Sequence, residues 1–467
     1  MAFLVGGCVR DLLIGLEPKD FDVATDALPE QVKRLFRNCR LVGRRFRLAH
    51  VFFGREIIEV ATFRAASAPA QGEEPLPDAD PEDGEAAELD DPLLEAETLA
   101  AEDPTANGNG APLARSFPTS DPEVDTDVLA QRMFDETGRI LRDNVYGTID
   151  ADVWRRDFTA NSLYYNIADF SVWDYCGGVE DVRARVLKLI GDPETRFRED
   201  PVRMLRAARF EAKLGFTLDP ATAEPIERLS DLMAGVPPAR LFDETLKLFL
   251  GGHGHRSYEV LRRRGLLAAL LPTVDAYIAG HPGSLVEKLL IQGLKNTDGR
   301  VQADKPVTPT FLFALLLYGP IAGIIEATPP EQWHELGTIL DACDLAARQA
   351  QTNVAIPKRF TLGVREMFGL QPRLEHPRGR RALRVLEHPR FRAAYDLLLL
   401  RAQFGLASNE MAQWWTRLQE VSAEERGQMA DSLSGQSSPR MDGPSRSGGG
   451  GGGGRRRRRR RRPAGPS

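Results

Sequence analysis

Cysteine is scarce and scattered: Cys8, Cys39, Cys176 and Cys343 are the only four, and no Cys-x-x-Cys pair occurs. Such spacing indicates neither a disulfide framework nor a zinc site and suits a reducing, cytoplasmic setting. Long apolar runs are missing as well. The longest, around Thr310 to Ile325, is broken by Gly319-Pro320 and is shorter than the ~20 residues a bilayer requires, so it is expected as a buried helix, with no membrane partner. The opening Ala-Phe-Leu-Val-Gly-Gly-Cys lacks the charged start and the length of a secretory signal.

Charge is present but unevenly placed. The stretch from Ser67 to Gly138 holds 20 acidic residues and two arginines, a local charge of −18, so the rest of the chain carries +12 although the whole sums to −6. A chain that is basic outside one acidic, Pro/Gly/Ala-rich stretch suits a polyanionic partner, because Lys and Arg displace condensed counterions from nucleic acid. With 467 residues, two or three cores are expected.

The first 64 residues alternate strand and helix signals. Phe3–Gly6 reads as a strand, Val9–Ile14 as a helical turn, Asp20–Ala24 as a strand and Pro29–Phe36 as a helix with Asp26 as its N-cap. Leu48–Phe53 and Glu56–Thr62, separated by Gly54-Arg55, read as a hairpin. The acidic stretch has no sustained period and is expected as a disordered insertion, 67–138, in a loop. Strands resume at Ser162–Ile167 and Ser171–Tyr175. From Glu199 to about Gly405 helical periodicity dominates, with breaks expected at Pro220, Pro237-Pro238, Pro309, Pro357 and Pro372. The end of the chain, with seven Gly followed by eight Arg, cannot form a core. It is either an electrostatic contact for RNA or a solvated low-complexity end.

The chemistry concentrates in a few segments. Gly6 and Gly7 close an apolar strand, where backbone N–H groups can approach a triphosphate. In Asp20-Phe21-Asp22, strand alternation would put both carboxylates on one side and Phe21 in the core. Two such charges side by side call for a cation, and Mg²⁺, with its preference for carboxylate and phosphate oxygens, is the natural one. A third carboxylate is expected from Glu59, the only acid in the apolar run Ile57-Ile58-Glu59-Val60, with Asp157 as its competitor. Arg155, Arg156, Asp157 and Asn161 offer guanidinium forks, a carboxylate and an amide to phosphate and ribose. The turn at Gly177-Gly178 reads equally as structural or catalytic. On the segment from Glu199 to Phe210, Asp200, Arg203 and Arg206 recur at helical spacing while Val202, Leu205 and Phe210 face inward. Such a row can present acceptors and donors to a base edge, choosing a nucleotide without a template; in isolation it would read as a salt-bridged solvent face.

In this order, Gly-Gly-x-x-Arg10-Asp, Asp20-x-Asp22, Arg155-Arg156-Asp157, Gly177-Gly178, the Glu199-Asp200 helix and Pro238-Ala-Arg240-Leu-Phe-Asp-Glu resemble the motifs of the class II nucleotidyltransferases. The superfamily includes bacterial poly(A) polymerases and CCA-adding tRNA nucleotidyltransferases. The segment containing Arg44-Arg45 and the stretch from Leu386 to Asp396 are similar to the poly(A) polymerase branch, and the absence of any His-Asp dipeptide excludes an appended phosphohydrolase domain. The acidic insertion departs from the family pattern, and the chain opens almost at its first strand, so a displaced start is expected.

The resemblance implies an α+β fold: a polymerase-beta-like head with a mixed sheet (1–190), then an all-helical neck (191–255) and body (256–420), with a disordered tail (421–467). The implied activity is template-independent addition of AMP from ATP to RNA 3′ ends, with pyrophosphate released and RNA turnover promoted. A CCA-adding enzyme is the alternative, and a catalytically inactive RNA-binding protein the second. Asp20 and Asp22 are implied as ligands of Mg²⁺, for which Mn²⁺ can substitute. Arg155, Arg156 and Asn161 are expected near the phosphates and sugar and Asp200, Arg203 and Arg206 near the base, with Gly6, Gly7, Arg10, Asp157 and Arg240 also binding the nucleotide. Basic body helices, with Arg378, Arg380, Arg381 and Arg384, would follow the RNA backbone. The protein is expected to be a monomer, with RNA-degradation proteins as further partners.

Overall fold

The computed structural model describes residues 1–43, 47–54, 56–64, 132–134, 140–143 and 146–433. Arg44-Arg45, Arg55, nearly all of the acidic stretch and the Gly/Arg-rich tail from residue 434 lie outside the described residues.

The chain begins with β1 (Ala2–Val5), α1 (Gly7–Leu13), β2 (Asp22–Thr25), α2 (Pro29–Leu35), β3 (Cys39–Val42), β4 (Leu48–Phe53) and β5 (Glu56–Thr62). A short antiparallel pair, β6 (Arg132–Phe134) and β7 (Ile140–Asp143), precedes α3 (Ile149–Arg155), β8 (Leu163–Asn166) and β9 (Ser171–Asp174). Seven strands form one sheet in the order β3-β4-β5-β2-β1-β8-β9, mixed because β2 and β5 run parallel while the other neighbours run antiparallel. The expected mixed-sheet α+β head is present. Each face of the sheet has its own core. Phe3, Val5, Ala24, Phe63 and Tyr164 pack with Ile149 and Val153 of α3 on one face, and Val32 of α2 meets Ala49, Val51 and Val60 on the other.

Two local readings need correction. Asp26 does not cap α2: the N-cap is Leu28, whose backbone N–H donates to the Gln31 side chain at 2.8 Å. The second strand starts at Asp22, so Asp20 and Phe21 precede it, and Phe21 is 41% exposed instead of lying in the core. The cause is the short pairing partner: β1 matches β2 only from Val5↔Asp22 to Ala2↔Thr25, which leaves residue 21 without a ladder position.

Beyond the sheet lie α4 (Gly178–Ala184), β10 (Val186–Leu187), α5 (Pro193–Glu199), α6 (Val202–Leu214), β11 (Thr217–Leu218), α7 (Pro220–Leu229), α8 (Pro238–Phe249) and α9 (Gly254–Arg263). The segment from Glu199 onward is therefore not one helix: α5 ends at Glu199, Asp200 has extended dihedrals, and Pro201 is the N-cap of α6. All of this belongs to one compact unit, Met1–Asp275 with Asp298–Asp304 and Thr352–Ala355. A second unit, Ala276–Thr297, Lys305–Gln351 and the chain from Ile356, is helical.

Prolines mark helix beginnings, as a residue without an N–H can. Pro220, Pro238 and Pro309 are first helical residues, and Pro357 is the N-cap of the helix Lys358–Glu375. Pro372 is the exception, lying inside that helix. Packing holds the turn there: Gln371 donates to the Met367 and Ala394 carbonyls and Trp415 Nε1 to that of Leu374. The apolar run near Thr310 forms two helices, Pro309–Leu316 and Tyr318–Glu326, bent by 42°; no single helix among the described residues is long and apolar enough to cross a membrane. Leu312 to Leu317 are fully buried. The four thiols are free, and burial pushes those of Cys176 and Cys343 up to about 11 and about 12.

Acid sensitivity follows from His253. Its Nδ1–H donates to the Gly251 carbonyl at 3.0 Å, while Nε2 is buried without a partner. Burial, with Arg209 and Lys213 nearby, overrides Asp298 and the Gly251 bond and lowers the imidazole to about 4. The unfolded chain takes up this proton near pH 6.5, so the neutral ring's contribution is complete above that pH and is lost as pH falls to about 4, up to about 3 kcal/mol. Urea midpoints measured at pH 7 and pH 4.5 should differ less in a His253→Gln variant than in the parent.

Candidate active site

Strand β2 and the segment between α3 and β8 carry the site. One cavity of about 260 Å³ is lined by Gly6, Gly7, Arg10, Asp20, Asp22, Arg156, Asp157, Asn161 and Arg206, together with Asp11, Lys19, Phe210 and Lys213. Gly6 has φ 78°, a region that favours glycine, and its N–H donates to the Leu163 carbonyl at 3.0 Å, so the turn leaving β1 is tied to β8.

Asp22 and Glu59 are neighbours by strand register. Because Val23 pairs with Val60, Asp22 lies opposite Glu59 on the same face, and His50 lies opposite Glu59 on the far side. Glu59 is not a buried charge: its side chain is half exposed, and the His50 Nε2 is 3.5 Å from its carboxylate. Burial first, then the charges of Glu59 and Asp20, push the Asp22 carboxyl up to about 6, with Arg156 opposing. A hard cation between these oxygens would remove the like-charge cause, so the residues fit a divalent ion. No group of three or more His, Cys, Asp or Glu among the described residues is placed to hold a metal unaided. Remaining ligands would have to be substrate and water oxygens, a pattern usual for Mg²⁺.

Behind the carboxylates runs a chain of polar contacts. Arg10, 1% exposed, donates through Nε to Asp11 at 2.8 Å and through Nη1 to the Asn161 side-chain oxygen at 2.5 Å. The Asn161 amide donates to Asp157 Oδ1 at 3.3 Å, and that oxygen also accepts the Phe158 N–H at 2.7 Å. The other Asp157 oxygen accepts Arg206 Nε and Nη2 at 2.8 and 2.5 Å. Burial would raise the Asp157 carboxyl, but the Arg206 charge and these hydrogen bonds prevail and hold it at about 2. Arg156 donates to Asp152 at 3.0 Å and to the Tyr164 hydroxyl at 2.8 Å, and the hydroxyl donates onward to Asp152 at 2.7 Å.

Other expected site residues are placed elsewhere. Arg155 does not line the cavity; its carbonyl accepts from Arg196 at 2.9 Å. Arg203 turns back to the Arg196 carbonyl and Glu199 at 2.7 and 3.0 Å. Asp200 and Arg240 form a two-pronged pair, 3.0 Å at each contact. The Gly177-Gly178 turn acts as a brace. Asp174 accepts the N–H groups of Gly178 and Val179 at 2.9 Å, and a Cβ on Gly178 would fall 2.3 Å from the Thr159 carbonyl oxygen. Lys19, Lys213 and Asp152 escaped the sequence reading; only Asp152 left a signal, its i,i+4 spacing to Arg156.

A mixed sheet with Asp22 at the start of β2 and Asp20 just before it, both lining a cavity with arginine and lysine walls, defines a nucleotidyltransferase. Residues 2–90 and 113–188 match a family described as the poly A polymerase head domain, residues 215–278 the probable RNA and SrmB-binding site of polymerase A, and residues 331–463 the polymerase A arginine-rich C-terminus. The poly(A) polymerase I of Salmonella typhi is 43% identical over 445 residues, 94% of this chain and 83% of that protein. This chain belongs to the bacterial poly(A) polymerase family. The CCA-adding enzyme of Bacillus subtilis (strain 168) is more distant, 30% identical over 260 residues, 56% of this chain and 49% of that protein. The solved structure of a tRNA nucleotidyltransferase complexed with a primer tRNA and an incoming ATP analog shares the fold: TM-score 0.51, 19% identity, covering 90% of this chain and 96% of that one.

If Asp157 ties this cavity together, Asp157→Asn should cost about 2–4 kcal/mol, because it leaves Arg206 without its carboxylate. Urea unfolding measures this loss, and ATP affinity should fall with it. An Asp157→Asn protein with parental stability and affinity would show that the network is incidental.

Proposed function

We propose that the protein adds adenylates from ATP to RNA 3′ ends, without a template, in the cavity that Asp20, Asp22, Arg10, Arg156 and Arg206 share. The supporting observation is that paired carboxylates and five cationic side chains, the other two being Lys19 and Lys213, line one cavity of head sheet and α6. A polynucleotide adenylyltransferase needs that combination: a cation site for the reacting oxygens and positive charge for a triphosphate.

Asp20 and Asp22 are the proposed holders of Mg²⁺, or of Mn²⁺ in its place, with Glu59 adjoining them. When bound there, the cation supplies charge neutralisation and a lowered 3′-hydroxyl pKa. The chain's own residues position the reactants. Lys19, Lys213 and the exposed third of Arg206 offer donors to phosphate oxygens. Arg10 and Asp157, already fully engaged, hold Asn161 in place. The 3′-oxygen attacks the α-phosphorus as the bond to pyrophosphate breaks, so no enzyme nucleophile is required. Asp200 and Arg240, fixed in one plane by their paired contacts, are proposed to read the base.

On an unstructured RNA, the protein with ATP should give a long adenylate ladder and with CTP almost none. Addition that stops after CCA on a trimmed tRNA would instead make it a CCA-adding enzyme. Asp22→Ala should lower extension at least about a thousandfold without unfolding the chain, and equal activity in parent and variant would reject the metal site. Arg240→Ala should narrow the ATP/CTP ratio about tenfold or more, read from kcat/KM for each nucleotide, since losing a base contact costs about 1–3 kcal/mol.

A further inference from the structure

Two cavities of the second compact unit adjoin and differ in chemistry. The first, of about 310 Å³, is walled by Tyr318, Ile321, Trp333, Ile339 and Phe368, with the carboxylate of Glu326 among them. The second, of about 540 Å³, lies by the end of the helix Lys358–Glu375 and the helix Arg381–Leu386. Its charged lining is Arg373, Arg378, Arg381 and Arg384, and no carboxylate among the described residues joins them. His334, Pro372 and His376 line both cavities, so the two have one wall in common. Each volume falls within the range of about 300–1,000 Å³ usual for small-ligand sites.

Most polar groups of the first cavity are already satisfied. Arg401 donates to Glu375 at 2.6 Å, to Gln371 Oε1 at 2.9 Å, and to the Tyr318 hydroxyl and the Leu406 carbonyl at 3.1 Å each. The Trp333 Nε1–H donates to the Thr328 carbonyl at 2.9 Å, which holds in place an indole that is 36% exposed. Glu326 differs. It is the exposed last residue of the helix Tyr318–Glu326, where the helix dipole opposes an anion, and it forms no ion pair among the described residues. Burial first, and then the Glu326 charge, push the Tyr277 hydroxyl up to about 12. Beyond the common wall the imbalance has the opposite sign. Arg365, Arg380 and Arg390 pair with Asp344, Asp431 and Glu366, whereas the four exposed arginines of the second cavity form no ion pair among the described residues. One cavity offers an acceptor without a donor and its neighbour offers donors without acceptors.

We propose that the two cavities form one site for a free guanosine di- or triphosphate, with the base in the first and the phosphates in the second. The N1–H and 2-amino groups of guanine donate side by side and match the two acceptor oxygens of one carboxylate, which Glu326 supplies. Adenine would set its N1 lone pair against that carboxylate. Trp333 and Tyr318 offer aromatic surface to a purine ring, and guanidinium forks suit phosphate oxygens. A lysine or arginine from a partner protein would satisfy Glu326 but would meet four cations next to it. Inorganic phosphates would satisfy the arginines and leave Glu326 and the apolar walls unused. Only a ligand with a donor edge, a flat apolar body and an anionic end answers both halves. The site belongs to the other compact unit from Asp20 and Asp22, and it does not rest on the adenylyltransferase reading.

The test titrates full-length protein with N-methylanthraniloyl-GDP and reads energy transfer from indole to the label. EDTA is present, so that no divalent cation assists binding at Asp20 and Asp22. The signal should saturate, and Trp333→Phe should remove most of it. Unlabelled GDP should displace the probe about tenfold better than ADP or tripolyphosphate, as a site built to hydrogen-bond one base edge requires. Glu326→Gln should weaken GDP about tenfold and narrow the GDP/ADP ratio, because a carboxylate contact to two donors is lost. Arg378→Ala/Arg384→Ala should weaken GDP to a similar degree and leave guanosine unaffected. These side chains are exposed, and circular dichroism checks that each variant is folded. Absence of a saturable signal would overturn the proposal, as would equal displacement by GDP and ADP. Displacement by tripolyphosphate as effective as by GDP would show a phosphate site alone and overturn it too. So would binding that survives Glu326→Gln and is lost in Asp22→Ala, since the nucleotide would then lie in the cavity of the head.

Discussion

One buried carboxylate holds the candidate site together. Asp157 has an 11% exposed side chain, and a lone charge in that place would cost several kcal/mol. It is tolerated because Arg206 grips one oxygen with two N–H groups while Phe158 N–H and Asn161 satisfy the other. The segment carrying Asp157 lies between α3 and β8, and Arg206 lies on α6, so this contact is where sheet and helix acquire a fixed spacing. The cavity exists in that gap. Arg10 extends the tie to α1 through Asn161, so the glycine turn, the arginine segment and the helix are parts of one polar network.

That network separates the motif arginines by task. Arg10, Arg156 and Arg203 are largely saturated by Asp11, Asn161, Asp152, Tyr164 and Glu199 and act as struts. Arg206 is divided, its fork held by Asp157 and a third of the side chain open. The two lysines, Lys19 and Lys213, line the cavity and form no ion pair among the described residues, although the Asp11 charge acts on Lys213. One cluster of charges thus contains both struts and side chains left open to the cavity. Sequence spacing alone does not distinguish them: the partners of Arg156 and Arg203 lie within eight positions, but those that set Arg10 and Arg206 in the cavity, Asn161 and Asp157, are 151 and 49 positions away.

The legibility of the chain follows the range of the interactions. Local rules served for the sheet strands other than β3 and for prolines at helix starts; Glu59 stands out as the acid of an apolar run, although its side chain is half exposed and its place beside Asp22 comes from the β2–β5 register. They failed where a partner strand ended. Phe21 falls outside the core because β1 has no residue left to pair with it, and Asp26 loses the capping role because Gln31 reaches back to Leu28. The helix expected across Glu199–Phe210 divides at Asp200, and this break frees that carboxylate to meet Arg240, a contact no periodicity could foretell. Pro372 stays helical because Gln371 and Trp415, one of them from a distant helix, secure the surrounding carbonyls.

The break at Asp200 also bears on how a protein can choose a nucleotide without a template. A continuous helix would give Asp200 the freedom of an exposed rotamer, and a flexible acceptor discriminates poorly because it adapts to either base. Extended dihedrals at Asp200 and the two-pronged grip of Arg240 remove that freedom. The carboxylate retains acceptor capacity and the guanidinium retains its Nε donor, both held in one plane. Such a pair is costly to leave mismatched, since a base edge with donors and acceptors reversed would leave partly buried charges unsatisfied. On the proposed role of this pair in reading the base, discrimination depends on the rigidity of the link between α5 and α6, and α6 is the helix that Asp157 anchors to the sheet.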